Sequence, residues 1–246
     1  MTSPETSITL TPAENSRGSV DRRRACHYLS VRARRLALTA QLVALAAPGH
    51  ARAADPVFHG SISVIDAQLR ERMTGSSWHR GCPVRIRDLR LLKLDHWGFD
   101  GSVRRGRLIV HEDQAPRVMR VFSKLFYAHF RIKRMLLIDA YNGSDDRSMD
   151  ANNTSAFNCR FVAGTTTWSQ HAFGRAVDIN PIRNPYVAGS HVSPEAGRPY
   201  ADRSRYAIGM IHGGDAVVRA FAVTNWKWGG YWSYPKDYMH FSRNGR

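Results

Sequence analysis

Two histidines and two aspartates have the residue types and the spacing to hold and use a metal ion. His171 and Asp178 lie in the stretch SQHAFGRAVDINP, and Asp237 and His240 follow in KDYMHF. Imidazole and carboxylate groups suit a borderline metal such as zinc, and three protein ligands leave a fourth position for water, as catalysis requires. His171, Asp178 and His240 are therefore a candidate set of Zn²⁺ ligands.

Asp237 suits a different task, because a carboxylate beside a metal that does not ligate it can act as a general base. Such a group takes a proton from the attacking water and passes it to a leaving amine. Taken singly, each of the four residues also fits an ordinary surface or core position, and spacing alone leaves both interpretations open. The chain has no H-E-x-x-H helix motif that would join two ligands in one turn.

Short strands are predicted to carry the ligands. GRAVDI has strand character around Asp178, and DYMHFS places its tyrosine, histidine and serine on one strand face. The stretch from Tyr141 to Thr167 is rich in Asn, Ser, Asp, Gly and Thr, which predicts a loop. In an α+β fold such distant segments can become neighbours.

Two strands and an amphipathic helix are predicted ahead of the site. Apolar residues alternate with charges from Val84 to Leu94, and another apolar run follows a turn at Asp100 and Gly101. Apolar residues from Val118 to Phe130 recur at helical spacing. The run from Ile132 to Tyr141 predicts a further strand, and Asp215 to Trp226 predicts a short helix.

Residues 1–53 have the features of an exported protein's leader. Basic residues including Arg34 and Arg35 precede the apolar run from Leu36 to Pro48, and ARA at 51–53 fits a signal-peptidase site. That run is shorter than the roughly 20 residues that span a bilayer. We predict a signal peptide and leader over 1–53 and no stable transmembrane segment. A surface helix and an uncleaved anchor are the alternatives, and Sec and Tat export both remain open.

The chain is strongly basic, with 36 Lys and Arg against 20 Asp and Glu. Residues 1–53 hold eight arginines and three acids, so the remainder carries 28 basic and 17 acidic residues, a net charge of about +11. Nucleic acid or an anionic cell wall or membrane could attract such charge. Export favours the wall, so we expect a secreted, periplasmic or wall-associated protein with no nucleic-acid partner. Nothing in the sequence sets the oligomeric state.

Cys82 and Cys159 are the two cysteines that lie outside the predicted leader, which contains Cys26. An even pair in an exported protein predicts a disulfide, with two buried thiols as the alternative.

Two motifs in the right order resemble the M15 metallopeptidases, the D-alanyl-D-alanine carboxypeptidase and dipeptidase group. SQHAFGRAVD at 169–178 matches S-x-H-x-x-G-x-A-x-D, and WKWGGYWSYPKDYMHF at 226–241 is similar to the second half of the same signature. NTSAFNCR at 153–160 resembles the segment before the first ligand in an extensin-like C-terminal subgroup. The resemblance runs from about Gly81 to Phe241.

The resemblance implies a zinc peptidase that acts on peptidoglycan stem peptides. It implies a Hedgehog/DD-peptidase-like fold, with a central antiparallel sheet flanked by helices in a single catalytic domain over 81–246, preceded by an N-terminal extension over 54–80. His171, Asp178 and His240 would ligate Zn²⁺, and Asp237 would be the catalytic carboxylate, where many members have Glu.

Two further roles follow from the same comparison. Arg160 would steady the substrate carbonyl or carboxylate, although a GYR segment in which the family more often carries that arginine reads AYN at 140–142 here. A structural salt bridge is the alternative for Arg160. Ser169 would support the first ligand or its loop.

A D,D-carboxypeptidase is the first expectation. A peptidoglycan endopeptidase of the same fold, a wall-binding module with a weakened metal site, and a basic nucleic-acid-binding protein are the alternatives.

Overall fold

The described chain folds as a mixture of helices and small antiparallel sheets, which confirms the α+β class. The structure is a computed structural model that describes residues 6–10 and 55–246. The predicted signal peptide lies outside these residues, apart from 6–10. No helix among the described residues is long and apolar enough to cross a membrane.

Three separate sheets take the place of the one central sheet that the family resemblance implied. The largest has the order β1-β2-β3-β4, and two three-stranded sheets have the orders β5-β10-β8 and β7-β6-β9. The strands are Thr6–Leu10 (β1), Phe58–Val64 (β2), Leu89–Trp97 (β3), Val103–His111 (β4), Ala176–Asp178 (β5), Tyr186–Ala188 (β6), His191–Ser193 (β7), Lys227–Trp228 (β8), Lys236–Asp237 (β9) and His240–Ser242 (β10).

Four α-helices accompany the sheets in the described chain. They are Ala67–Met73 (α1), Ala115–Tyr127 (α2), Asp145–Asp150 (α3) and Ala216–Ala222 (α4). The predicted amphipathic helix and the short C-terminal helix are therefore present as α2 and α4, and the predicted loop after Tyr141 contains α3. The segment 54–80, predicted as an N-terminal extension, contributes β2 and α1.

The largest sheet is buried on both faces because its strands alternate between two apolar clusters. Leu92 and Leu108 point into one cluster with Phe122 of α2, while Leu91 and Ile109 point into the other. The Asp-Gly turn between β3 and β4 forms as predicted, with the Gly101 amide donating to the Gly98 carbonyl at 3.0 Å. Val177 of β5, Trp228 of β8 and Phe241 of β10 belong to the same cluster as Phe122, so this sheet and α2 pack against the β5-β10-β8 sheet.

The predicted strand from Ile132 to Tyr141 is wrong. Most of its apolar side chains are buried, although Leu136 is exposed, and asparagine side chains replace a partner strand: the Lys133 amide donates to Asn180 Oδ1 at 3.0 Å, and the Leu136 amide donates to Asn153 Oδ1 at 2.8 Å. The segment ends in a 3-10 helix at Ile138–Tyr141. Buried backbone groups need partners, and side-chain amides can supply them as well as a strand can.

Candidate metal centre

His171 lies in a short 3-10 helix, Gln170–Phe173, whose two ends are set by its neighbours. Ser169 Oγ accepts a hydrogen bond from the His171 amide at 3.3 Å, and so caps the start of this helix. Gly174 ends it with φ +63°, and a Cβ there would lie 2.5 Å from the His111 amide nitrogen. Only glycine fits this bend without displacing β4.

The segment before the first ligand holds the imidazole ring of His171 in one orientation. Ser155 pairs with Asp178 in an antiparallel bridge. The next residue, Ala156, has its carbonyl 2.5 Å from His171 Nδ1, and the Asn158 amide donates to the His171 carbonyl at 3.3 Å. With Nδ1–H donated to a carbonyl, Nε2 keeps its lone pair for a ligand, the arrangement usual for metal-binding histidines.

Asp178 and His240 face each other across two paired strands. The register of β5 and β10 places His240 directly opposite Asp178, so the two side chains leave the same face of the sheet. His240 Nδ1 is 3.0 Å from Asp178 Oδ1, and His171 Nε2 is 3.0 Å from Asp178 Oδ2. His171 Nε2 and His240 Nδ1 are 3.3 Å apart, and all three residues are buried.

The three side chains are close enough together to bind one tetrahedral metal ion. Zinc bonds of 2.0–2.1 Å at tetrahedral angles put neighbouring ligand atoms roughly 3.3 Å apart. The two histidine nitrogens are 3.3 Å apart, and each lies 3.0 Å from a different oxygen of the Asp178 carboxylate, so a small movement of that carboxylate would complete the coordination of an ion. His171, Asp178 and His240 could hold a metal ion.

The charges of the triangle favour an ionised aspartate between two imidazoles. Burial opposes ionisation of Asp178, but the charges and hydrogen bonds of His171 and His240 hold its pKa well below the usual range. Burial also opposes a charged His240, yet its hydrogen bond to Asp178 and the nearby carboxylates raise its pKa. In the metal-free protein, the raised pKa of His240 thus favours a proton on its ring that a metal ion would displace.

Asp237 stands beside the triangle as a carboxyl group without a partner. Its Oδ1 atom is buried and makes no hydrogen bond to any described residue. Burial raises its pKa to about 7, and the charge of Asp178 acts in the same direction, against the field of His240. A carboxyl group with a pKa near neutrality can both accept and return a proton at physiological pH.

A close backbone contact fixes the position of Asp237. A Cβ added to Gly229 would lie 2.6 Å from the Asp237 carbonyl oxygen and 2.9 Å from Asp237 Cβ. Gly229 is therefore required for the approach of the two segments. The next glycine, Gly230, leaves equally little room, because its Cβ would meet the Trp228 ring at 2.4 Å. The two glycines of WGGYW thus serve packing around the site.

Arg160 forms the salt bridge that the sequence left as its alternative role. Its Nη2 lies 2.7 Å from Asp145 Oδ2, and the side chain is 29% exposed. Its Nε is buried and makes no hydrogen bond to a described residue. The guanidinium is close enough to Asp237 for its positive charge to favour the ionised carboxylate. Arg160 therefore makes a structural ion pair with Asp145, keeps its Nε without a partner among the described residues, and places positive charge near Asp237.

The tryptophans divide between core and site. Trp226 and Trp228 are buried in the core, and their ring nitrogens donate to Gln114 Oε1 and to the Tyr238 carbonyl. Trp232 is half-buried, and its ring centroid lies 5.7 Å from that of His240. Trp232 alone of these three contacts a ligand ring.

Tyr186 is a residue of the site that the sequence did not reveal. It comes from the long Pro- and Gly-rich stretch after Asn180, and the pairing of β6 with β9 sets it directly opposite Asp237. The carboxylate of Asp237 is near enough to raise the pKa of the phenol, second to the effect of burial. No motif marks Tyr186, since a single aromatic in a short strand has no distinctive spacing.

Comparison with known proteins supports the same chemistry. Residues 163–243 match the family model described as D-alanyl-D-alanine carboxypeptidase, one of the M15 peptidases. No curated protein and no solved structure matched the chain. The matched residues include the three candidate ligands and Asp237. The segment that carries the site is therefore similar in sequence to the M15 peptidases.

Proposed function

We propose that this chain is an exported zinc D,D-carboxypeptidase that removes the terminal D-alanine from peptidoglycan stem peptides. The observation that carries the proposal is the buried triangle of His171, Asp178 and His240 with the unpartnered carboxyl of Asp237 beside it. A structural metal site would have four protein ligands, whereas three ligands and a nearby base leave room for water and substrate.

Zinc is the metal that the donor set and the separations favour, because two imidazoles and one carboxylate at tetrahedral spacing match its coordination. When bound, zinc would polarise the scissile carbonyl and allow water to act as a nucleophile near neutral pH. The match to the M15 peptidases supports the same choice. We also propose the Hedgehog/DD-peptidase-like arrangement for the region around the site.

Asp237 carries the proton in this reaction. It takes a proton from the attacking water and delivers it to the amine that leaves, which its pKa of about 7 permits in both directions. Arg160, whose side chain is 29% exposed, would donate from its guanidinium to the substrate's carbonyl or terminal carboxylate. Asp145 restrains Arg160 for that contact, since it binds Nη2 of the guanidinium.

Export and location follow from the leader and the charge. A signal peptide over residues 1–53 and a remainder that carries about +11 would place a basic enzyme on an anionic cell wall. The disulfide between Cys82 and Cys159 is present, and it suits an oxidising compartment. N-terminal sequencing of the exported protein should give a start near Ala54. An intact N-terminus on protein retained in the cytoplasm would contradict export.

The decisive experiment incubates the zinc-loaded protein with defined muropeptides that end in D-Ala-D-Ala and identifies the products by mass. We expect loss of one alanine. Cleavage within the stem or the cross-bridge would instead identify an endopeptidase, and binding without cleavage would identify a wall-binding module.

Two variants separate the roles of ligand and base. Asp237→Asn should lower kcat by about 10²–10⁴-fold while zinc is retained, because the amide cannot accept a proton. His171→Ala should lose both zinc and activity. Asp202→Asn is the matched control, because Asp202 is an exposed aspartate paired with Arg205, and it should leave both unchanged. Wild-type activity in Asp237→Asn would refute the proposed base.

A further inference from the structure

A second cluster of metal-binding side chains lies outside the catalytic site, around a tight turn from His79 to Cys82. The Cys82 amide donates to the His79 carbonyl at 3.2 Å, and the His79 amide approaches Cys82 Sγ at 3.2 Å. Gly81 has φ +98°, a conformation that favours glycine. Two ligands separated by two residues in a turn is a spacing common in zinc sites.

The third side chain comes from the opposite side of the disulfide. Cys159 Sγ is 3.4 Å from His79 Nε2, and its backbone amide is anchored to the Ser77 carbonyl at 2.9 Å. His79 Nδ1 is 3.0 Å from the Arg80 carbonyl. A donated Nδ1–H leaves the Nε2 lone pair directed at the sulfur, the same orientation that a backbone carbonyl gives to His171.

We propose that, when the Cys82–Cys159 disulfide is reduced, His79, Cys82 and Cys159 form a second metal site for a thiophilic divalent ion such as zinc. The three ligand atoms lie within 4.8 Å of one another. His79 is exposed, Cys82 is half-buried and Cys159 is buried, so an ion can enter from solvent and is held on its inner side. The fourth position is open to water or an external ligand.

The geometry requires only a small rearrangement. At Zn–S bonds of about 2.3 Å the two sulfurs must separate to roughly 3.7 Å, the edge of a tetrahedron. The Cα atoms of Cys82 and Cys159 are 5.9 Å apart, and rotation of the two side chains can provide that separation with the backbone in place. His79 Nε2 already lies on the Cys159 side of the pair.

The chemistry balances with a dithiol or phosphine as the reductant. Two electrons and two protons convert the disulfide into two thiols, and the reductant becomes a disulfide or a phosphine oxide, with water supplying the oxygen in the second case. Metal binding then releases both thiol protons. The oxidation state of this one pair of sulfurs therefore determines whether the site exists, and the inference does not depend on the proposed peptidase activity.

Cobalt(II) provides a test, because a thiolate-to-cobalt charge-transfer absorption in the near ultraviolet arises only where sulfur is a ligand. The catalytic site has no sulfur donor, so the band reports the second site alone. The full chain also contains Cys26. Cys26→Ser is therefore the reference protein, reduced with a phosphine that does not compete as a thiol would.

We expect the oxidised reference protein to show no such band, and the reduced protein to gain the band while it binds one more equivalent of cobalt than the oxidised protein does. Cys82→Ser should abolish the band. His79→Ala keeps both thiols and should weaken cobalt binding at least tenfold, whereas His191→Ala, an exposed histidine elsewhere, should not.

Three results would overturn the inference: reduced, folded protein that shows no sulfur band, equal affinity in His79→Ala, or loss of the near-ultraviolet circular dichroism on reduction. The last result counts because the site needs the folded turn at His79–Cys82 facing Cys159. Failure of hydrolysis assays would leave this test unaffected, since its signal comes from sulfur ligands.

Discussion

Metal binding at the catalytic site should expel protons, and Asp237 should account for a measurable share of them. The carboxyl of Asp237 has a pKa of about 7 without metal, so roughly 0.8 of a proton occupies it at pH 6.5. A divalent ion nearby favours the ionised form and drives this proton off. His240, whose pKa is raised by its hydrogen bond to Asp178 and by the nearby carboxylates, must also be neutral to bind, so it contributes further to the release.

Asp237 alone therefore accounts for a release of roughly 0.8 proton per ion at pH 6.5, and the affinity should rise about tenfold per pH unit for each proton released. At pH 8 only about a tenth of the Asp237 groups would still be protonated, so their contribution nearly disappears. In Asp237→Asn the release at pH 6.5 should fall by about 0.8 proton, and at pH 8 it should hardly change.

Calorimetry of zinc binding in two buffers of different protonation enthalpy counts these protons directly. Asp202→Asn is again the matched control and should release as many protons as the wild type. Equal release from the wild type and Asp237→Asn at pH 6.5 would show that the Asp237 carboxyl is already ionised in the metal-free protein, which would refute its raised pKa.

Three further predictions follow from particular contacts. Gly229→Ala should lower kcat/KM about 100-fold, because the added Cβ would displace Asp237 by a few tenths of an ångström or more, while zinc affinity changes little. Tyr186→Phe should lower kcat/KM about tenfold without a change in unfolding free energy, because Tyr186 is paired with Asp237 across β6 and β9 and its phenol is within electrostatic range of the proposed base. Reduction of the Cys82–Cys159 disulfide, which spans 77 positions, should lower the free energy of unfolding by about 4.5 kcal/mol in the chain-entropy account, as measured by urea denaturation without metal.

Matched variants make these outcomes interpretable. Gly213→Ala places a Cβ 3.3 Å from the Tyr231 ring, which can move, and should leave kcat/KM unchanged. Tyr206→Phe removes the hydroxyl of an exposed tyrosine and should be neutral. Activity of Gly229→Ala within threefold of wild type would show that Asp237 tolerates displacement. A loss below about 1 kcal/mol on reduction would show that other contacts already restrain the chain around Cys82 and Cys159.

The local chemistry of the site could be predicted from sequence, because its residues have distinctive types and spacing. His171, Asp178 and His240 converge as expected, and Gly174 makes the bend between the first two. Asp237 is beside them, but its position depends on the close contact of Gly229, at the start of a 3-10 helix, with Asp237 in β9. No periodicity encodes such a contact.

The parts that could not be predicted are those in which side chains replace secondary structure. The side chains of Asn153 and Asn180 accept hydrogen bonds from the backbone of a segment whose apolar run otherwise predicts a strand. Tyr186 reaches the site through a three-residue strand, and its pairing with β9 is invisible in the sequence. His79 lies close to Cys82 in sequence, but the third member of that cluster, Cys159, is 80 positions away from His79. Each case depends on tertiary contacts between segments that are remote in sequence.

The affinity for a metal ion depends on the correct register between β5 and β10, because that register places His240 opposite Asp178. A slip of one residue in β10 would turn His240 to the opposite face and bring Met239 or Phe241 opposite Asp178. Neither side chain can replace the imidazole, so a misregistered chain would lose a ligand and most of its affinity for the ion. An ion present during folding would therefore favour the correctly paired strands over their nearest competitor, by the full difference in binding free energy between the two registers.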